Sequence, residues 1–309
     1  MDERENLLLF AGSSHLELAE QIAKHLGKSL GKVKIEIFPD KEIGVQILEN
    51  VRGRDVFVLQ SIARRPNHYL MELLILIDAF KRASARSISA VIPYFGYCRQ
   101  DRRDKARVPI TAKLVANLLE KAGVDRVLTM DLHTDQVEGF FDIPVDNLLA
   151  RPVLIQQVKK LKLDDYVVVA PDLGSMKLAQ RFAADAKKDV AVVDKRRVNA
   201  EHVEANALVG AVKGKDVLLI DDMTSTGITL SMAAKVCQKA GAKRVFAAVT
   251  HNLLNKAFEE SAIVKLLACD TVPLPASFDR SKIEEVSVAS LFAEAIVSMT
   301  SAKSISSLY

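Results

Sequence analysis

Cysteine is scarce in this 309-residue chain: three residues, at 98, 237 and 269, with no Cys-x-x-Cys pair. That spacing excludes a zinc ribbon and a disulfide framework. Free thiols suit a reducing compartment, so a cytoplasmic location is expected. Long apolar runs are missing as well. The best, residues 69–80, carries Glu72 and Asp78 and is too short to span a bilayer. The opening Met1-Asp2-Glu3-Arg4-Glu5-Asn6 lacks the basic start and long apolar stretch of a signal peptide, so no membrane partner is expected. Neither charge sign dominates: 43 basic against 39 acidic residues leave a net +4. A dedicated nucleic-acid binder shows a stronger excess or a clear stripe, so no nucleic acid is expected either. No Gly-x-Gly-x-x-Gly, Walker A, His-Glu-x-x-His or Gly-x-Ser-x-Gly motif occurs. Any nucleotide must be held by another device.

What is present reads as a soluble α/β protein. Hydrophobic residues at 49% and charged residues at 27% are ample for a large core. The length suggests about two domains. Val- and Ile-rich runs predict strands at 7–10, 33–37, 56–60, 88–93, 127–131, 167–170, 190–194, 217–221 and 244–250. Helix-period segments predict helices at 15–26, 70–83, 110–121, 176–186 and 229–239. This alternation implies mostly parallel sheets flanked by helices. An irregular echo supports it. Residues 81–84, 121–126 and 239–244 each read as a helix end, a small residue and a short turn into a strand. The boundary falls near Pro144 and Pro152. It gives a first domain at 1–147, a second at 148–286, and a segment at 287–309 that packs back on the first.

Three segments carry the chemistry. The run at 217–221 ends in Asp221 and Asp222. Ser225, Thr226, Gly227 and Ile228 follow, and a helix begins near Thr229. Backbone N–H groups at a helix start, with hydroxyls beside them, can surround a phosphate. Carboxylates just before them can accept hydrogen bonds from sugar hydroxyls, at the strand end where open α/β sheets bind ligands. The plainer reading is a capped helix after a strand. From Arg99 to Arg107 there are five basic and two acidic side chains, with Tyr94, Phe95 and Tyr97 just before. This is an anion-binding stretch, a nucleic-acid patch or a solvated loop. Lys195, Arg196 and Arg197 end the strand at 190–194 and precede a weakly periodic polar stretch. That pattern fits a mobile loop delivering positive charge, or a plain basic turn.

More of the chain fits one family pattern. Phe38-Pro39-Asp40-Lys41-Glu42, Leu70-Met71-Glu72-Leu73-Leu74, Arg99-Gln100-Asp101-Arg102, Asp131-Leu132-His133, Asp194-Lys195-Arg196-Arg197 and the 217–229 loop occur in a characteristic order. In that order the chain resembles the ribose-phosphate pyrophosphokinases from about residue 7 to about 290. The resemblance implies two phosphoribosyltransferase-like α/β domains and transfer of a diphosphoryl group from ATP to ribose 5-phosphate. It assigns Phe38, Asp40, Lys41, Glu42, Arg99, Gln100 and Asp101 to ATP, with Phe38, Asp40 and Glu42 contributed at the adenine end by a neighbouring subunit. It assigns His133 and Asp172 to Mg2+, and Lys195 and Arg197 to catalysis. It assigns Arg197, Asp221, Asp222, Ser225, Thr226, Gly227, Ile228 and Thr229 to ribose 5-phosphate. It also implies a homo-oligomer, often a hexamer.

The chain departs from the usual pattern at Lys41, Ser175 and Ile228, where glycine is common, and at Ser225, where aspartate is common. Other readings are a noncatalytic paralogue that scaffolds active subunits, and a salvage phosphoribosyltransferase using the same loop.

Overall fold

The computed structural model describes residues 6–163, 165–196, 205–254, 262–276, 278–301 and 303–308. The chain divides into two compact units. One comprises Met1–Leu149, Thr271–Pro273 and Ser287–Tyr309; the other comprises Ala150–Asp270 and Leu274–Val286.

In the first unit, β1 (Leu7–Ala11), β4 (Asp55–Leu59), β5 (Ser87–Ile92), β6 (Arg126–Met130) and β7 (Val145–Leu148) form one parallel sheet in that order. Val56, Val58, Ile88, Val91, Val127 and Leu128 are buried, as strands covered on both faces require. The connecting helices are α1 (Leu16–His25), α2 (Pro66–Arg82) and α3 (Thr111–Ala122). A separate antiparallel hairpin of β2 (Val33–Ile37) and β3 (Ile43–Ile47) rests on α2 through β3. Thr271–Pro273 is tied in by two bonds: Ser61 Oγ donates to the Thr271 carbonyl at 2.6 Å, and Arg64 Nε to that of Pro273 at 2.8 Å. Later in the chain, α7 (Ala289–Thr300) buries Phe292 and Ile296 and packs on α1, where Ser287 Oγ donates to Gln21 Oε1 at 2.7 Å.

The second unit holds α4 (Arg151–Lys160), β8 (Tyr166–Ala170), α5 (Met176–Ala186), β9 (Val190–Arg196), β10 (Ala205–Val209), β11 (Asp216–Thr224), α6 (Ile228–Lys239), β12 (Arg244–Asn252), β13 (Ile263–Cys269) and β14 (Ile283–Val286). Its sheet runs β10-β9-β8-β11-β12-β13-β14, and only the β9–β10 pair is antiparallel. The chain starts at β8, moves outward to β9 and β10, then crosses back to β11 on the other side of β8. The order therefore reverses between β8 and β11. Open α/β sheets bind ligands outside the carboxyl ends of strands at such a point.

The helix-turn-strand echo has a common geometry. Ser84, Gly123 and Gly241 all take the left-handed conformation, at φ of 63°, 113° and 89°. That conformation ends a helix and turns the chain toward the next strand.

Several strand boundaries differ from the sequence expectations. The strand expected at 217–221 continues to Thr224, so Asp221 and Asp222 lie inside β11 rather than at its end. The strand expected to stop at 194 continues to Arg196 and pairs with β10 through Lys195↔Asn206 and Arg196↔Ala205. Lys195 and Arg196 are therefore strand residues and not the start of a loop. The strands β3, β7, β10, β13 and β14 and the helix α4 were not expected.

Candidate functional site at the strand reversal

The reversal in the second unit gathers the acidic residues. The last β8–β11 pair is Val169↔Leu219. Beyond it β11 runs on to Thr224, still paired with β12 at Asp221↔Val249 and Thr224↔Asn252. The protruding end of β11 thus has a neighbour strand on one side, while β8 has turned away at Pro171. Asp172 stands in the turn after β8, and Asp221 and Asp222 stand on the overhang.

A serine links them. Ser175 Oγ donates to Asp221 Oδ1 at 2.7 Å and lies 3.3 Å from Asp172 Oδ1, which also accepts from the Ser175 N–H at 3.2 Å. The Asp222 N–H donates to Asp221 Oδ1 at 3.0 Å. Burial pushes the Asp221 carboxyl up to about 7; the charges of Asp222 and Asp172 act in the same sense, and the Ser175 bond opposes them. Groups shifted this way by burial and neighbouring like charges cluster at functional sites.

The phosphate-loop residues follow directly. Ser225 and Thr226 are exposed in the turn, and Gly227 takes the left-handed conformation at φ 76°. Gly227 caps α6 and has no side chain to accept from the helix, while Thr226 Oγ1 accepts from the Ile228 N–H at 3.4 Å. The helix begins at Ile228, one residue before the expected Thr229. Ile228 is a helical residue with its side chain 60% exposed, so its branched Cβ meets no steric objection. Lys195 lies on β9 beyond the residues paired with β8, toward the same carboxyl edge as Asp172. Arg197 lies outside the described residues.

In the first unit, the loops after β5 and β6 are tied together. Thr134 Oγ1 donates to Asp101 Oδ2 at 2.9 Å, joining the loop of Arg99, Gln100 and Asp101 to the loop of His133. Gln100 Oε1 accepts from Thr111 Oγ1 at 2.5 Å, and its carbonyl accepts from the Ala112 N–H at 3.2 Å, which fixes the loop to the start of α3. Arg99 and His133 are exposed. Asn147 of β7 supports the second loop, accepting from the Leu132 N–H at 3.2 Å. Sequence reasoning missed Thr134. A threonine after Asp131-Leu132-His133 gives no signal by itself, because its partner is 33 residues away.

Phe38, Asp40, Lys41 and Glu42 lie at the exposed tip of the β2–β3 hairpin. The tip is closed by the Phe38 N–H to the Glu42 carbonyl and the Lys41 N–H to the Phe38 carbonyl, both at 2.9 Å. Asp40 Oδ1 accepts from the Glu42 N–H at 3.1 Å.

Known proteins resemble this chain in sequence and fold. Residues 7–123 match the family model of the N-terminal domain of ribose phosphate pyrophosphokinase, and residues 199–309 match that of the phosphoribosyl synthetase-associated domain. A ribose-phosphate pyrophosphokinase of Ralstonia nicotianae is 47% identical over 99% of this chain and 98% of its own. The chain belongs to the ribose-phosphate pyrophosphokinase family. A member from Clostridium perfringens is 51% identical over 94% of this chain and 93% of its own. Among solved structures, phosphoribosylpyrophosphate synthetase from Mycobacterium smegmatis matches with a TM-score of 0.91 at 40% identity, covering 96% of this chain and 99% of that one. The α/β architecture expected from the sequence is thus that of a ribose-phosphate pyrophosphokinase. Among the described residues, no helix is long and apolar enough to cross a membrane.

Proposed function

We propose that this chain transfers the β,γ-diphosphoryl group of ATP to O1 of ribose 5-phosphate, giving 5-phosphoribosyl 1-diphosphate and AMP. The observation that carries the proposal is the strand reversal. There a paired-carboxylate overhang and a helix start capped by a glycine adjoin at one carboxyl edge. A sugar phosphate needs both: carboxylates for its hydroxyls and N–H groups for its phosphate.

In this reading, Ser225, Thr226, Gly227, Ile228 and Thr229 hold the 5-phosphate. Asp221 and Asp222 accept hydrogen bonds from the ribose hydroxyls, and Arg197 adds positive charge at the sugar. Oxygen O1 attacks the β-phosphorus, the bond from that phosphorus to the α–β bridging oxygen breaks, and AMP leaves. The proton of O1 passes to solvent or to a neighbouring carboxylate. Phosphoryl transfer asks a protein mainly for positioning and charge stabilisation. Lys195 and Arg197 supply that charge at the transferring group. Arg99, Gln100 and Asp101 bind the nucleotide, and Phe38, Asp40, Lys41 and Glu42 meet its adenine from a second copy. Phe38, 43% exposed on a projecting hairpin, suits a residue completed by another subunit. The assembly is a homo-oligomer, a hexamer by family resemblance, and three buried free cysteines suit a cytoplasmic enzyme.

The donors present fit Mg2+. Burial, with the charges of Asp222 and Asp172 acting in the same sense, pushes Asp221 up to about 7, and a bound cation would relieve the charge part of that shift. Among the described residues, no group of three His, Cys, Asp or Glu side chains could hold a metal unaided. That suits Mg2+, which keeps waters and substrate phosphates in its shell. Asp172 would hold it in the second unit, the family resemblance names His133 as a further ligand, and when bound the ion would neutralise charge on the phosphates.

The test is AMP formation by purified protein with ATP, Mg2+ and ribose 5-phosphate, against a control without the sugar. Sugar-dependent AMP, equal in amount to 5-phosphoribosyl 1-diphosphate, is expected. Folded protein that forms none overturns the proposal in favour of a noncatalytic scaffold. Lys195→Ala is expected to leave substrate binding within a few-fold and to lower kcat by roughly 10²–10³-fold. Unchanged turnover removes Lys195 from the mechanism.

A further inference from the structure

Ser175 stands at the N-cap of α5, where a serine oxygen ordinarily accepts from a helix N–H two or three residues on. Here its side chain makes no capping bond. The residue is only 7% exposed, and its hydroxyl is turned away from the helix it opens, to Asp221 Oδ1 at 2.7 Å. The bond spans 46 residues of sequence and crosses the strand reversal, from the turn after β8 to the overhang of β11. The Asp222 N–H reaches the same oxygen at 3.0 Å, so two donors from different elements fix the plane of one carboxylate. Asp172 Oδ1, held by the Ser175 N–H at 3.2 Å, lies 3.3 Å from the same hydroxyl.

We infer that Ser175 is a positioning residue for sugar binding, whose hydroxyl orients the Asp221 carboxylate toward the ribose hydroxyls and couples it to the Asp172 turn. The inference rests on the sugar-phosphate reading of this site and adds a residue to it. A carboxylate on a strand overhang can rotate about its Cα–Cβ and Cβ–Cγ bonds. Each rotation leaves a different oxygen facing the ligand, and the serine bond removes that freedom before the sugar arrives. A cap would have stabilised α5; this hydroxyl instead pays its hydrogen bond to the ligand side of the sheet. The two roles predict different measurements.

The test compares wild type, Ser175→Ala and Ser175→Thr by three readouts. They are calorimetric binding of ribose 5-phosphate without nucleotide, steady-state KM for each substrate with kcat, and the melting temperature. Ser175→Ala is expected to weaken ribose 5-phosphate binding about 5- to 20-fold, part of the roughly 10- to 150-fold that a hydrogen bond to a charged group is worth, because the lost bond is to Asp221 and not to the sugar. It should raise the KM for that substrate in proportion and leave the KM for ATP within two-fold. Ser175→Thr keeps the hydroxyl and is expected to restore sugar binding to within about three-fold. An unchanged dissociation constant in Ser175→Ala, or equal losses for both substrates with a lowered melting temperature, overturns the inference. If wild-type protein neither binds ribose 5-phosphate nor forms sugar-dependent AMP, the reaction itself is wrong. If wild type is active and Ser175→Ala matches it, only the positioning role falls.

Discussion

Lys41 occupies the left-handed backbone region, at φ 76°, in the turn that closes the β2–β3 hairpin. A side chain there crowds the carbonyl that follows, at a cost of about 1–2 kcal/mol, of which the flexibility of glycine in the unfolded chain returns a part. Lys41→Gly should therefore stabilise the protein by about 0.5–1 kcal/mol, seen as a higher urea midpoint with an unchanged slope. Asp221 carries the opposite kind of strain. Its carboxyl sits at about 7 in the fold, well above the ordinary 3.8. The folded state holds that proton more tightly than the unfolded chain does. The contribution is thus fully present below about pH 4 and is lost as pH rises through 7. Across pH 5 to 8, without ligands, wild type should lose stability relative to Asp221→Asn, by on the order of 2–4 kcal/mol. Parallel pH profiles for the two proteins would show that the neighbouring carboxylates do not strain the fold. Asp221, Asp222 and the hydroxyl turn were legible in sequence because they are contiguous. The bond from Ser175 to Asp221 was not, because contacts between distant residues leave no local pattern.

The same limit applies to whole elements. The strands found from sequence are mostly interior ones whose Val and Ile runs are buried on both faces. Three of those missed, β7, β10 and β14, lie at sheet edges. An edge strand has one neighbour and tolerates polar residues, so Val145-Asp146-Asn147-Leu148 and Ile283-Glu284-Glu285-Val286 read as loop. The missed α4 buries only Leu154 and Val158 and shows little of the periodicity that marks a helix. The β-turn-α elements of the two units also differ in how they are filled. After β8, the turn meets the strand reversal. After β1, which is an edge strand with no reversal beside it, the turn is occupied from within. Glu72 of α2 is wholly buried and accepts from the Ser13 N–H and Ser13 Oγ at 2.6 Å and from Gln60 Nε2 at 2.7 Å. Gln60 Oε1 accepts from the Ser14 N–H at 3.1 Å. Gly12 is required there, since a Cβ would collide with Gln60 and Glu72. An internal carboxyl thus takes the donors that a ligand anion would use. Glu72→Ala removes the acceptor of three donors, of which Gln60 Nε2 keeps the Tyr69 carbonyl at 3.2 Å and exposed Ser13 can turn to water, and should cost about 1–3 kcal/mol, read from chemical denaturation. A loss below 1 kcal/mol would mean that water replaces the carboxyl without penalty.

At the scale of the molecule, the first unit is assembled from both ends of the sequence. The buried face of α1 (Leu18, Ile22) belongs to the same unit as Phe292 and Ile296 of α7. Deleting residues 287–309 should expose that face and destabilise the first unit selectively. Hydrogen exchange should then quicken in β1 and α1 while the sheet of the second unit keeps its protection. Equal loss of protection in both sheets would show one cooperative unit rather than two. The arrangement also has a consequence in time. A ribosome adds roughly 5–20 residues per second and domains ordinarily complete in the order they emerge. Here residues 150–286 are made while the first unit still lacks its closing helix, a wait on the order of ten seconds. The second unit can finish while the first remains open on its α1 side. A chain released before residue 287 therefore presents an uncovered apolar helix face, and completeness of synthesis becomes something the cell's chaperones and proteases can read from the surface.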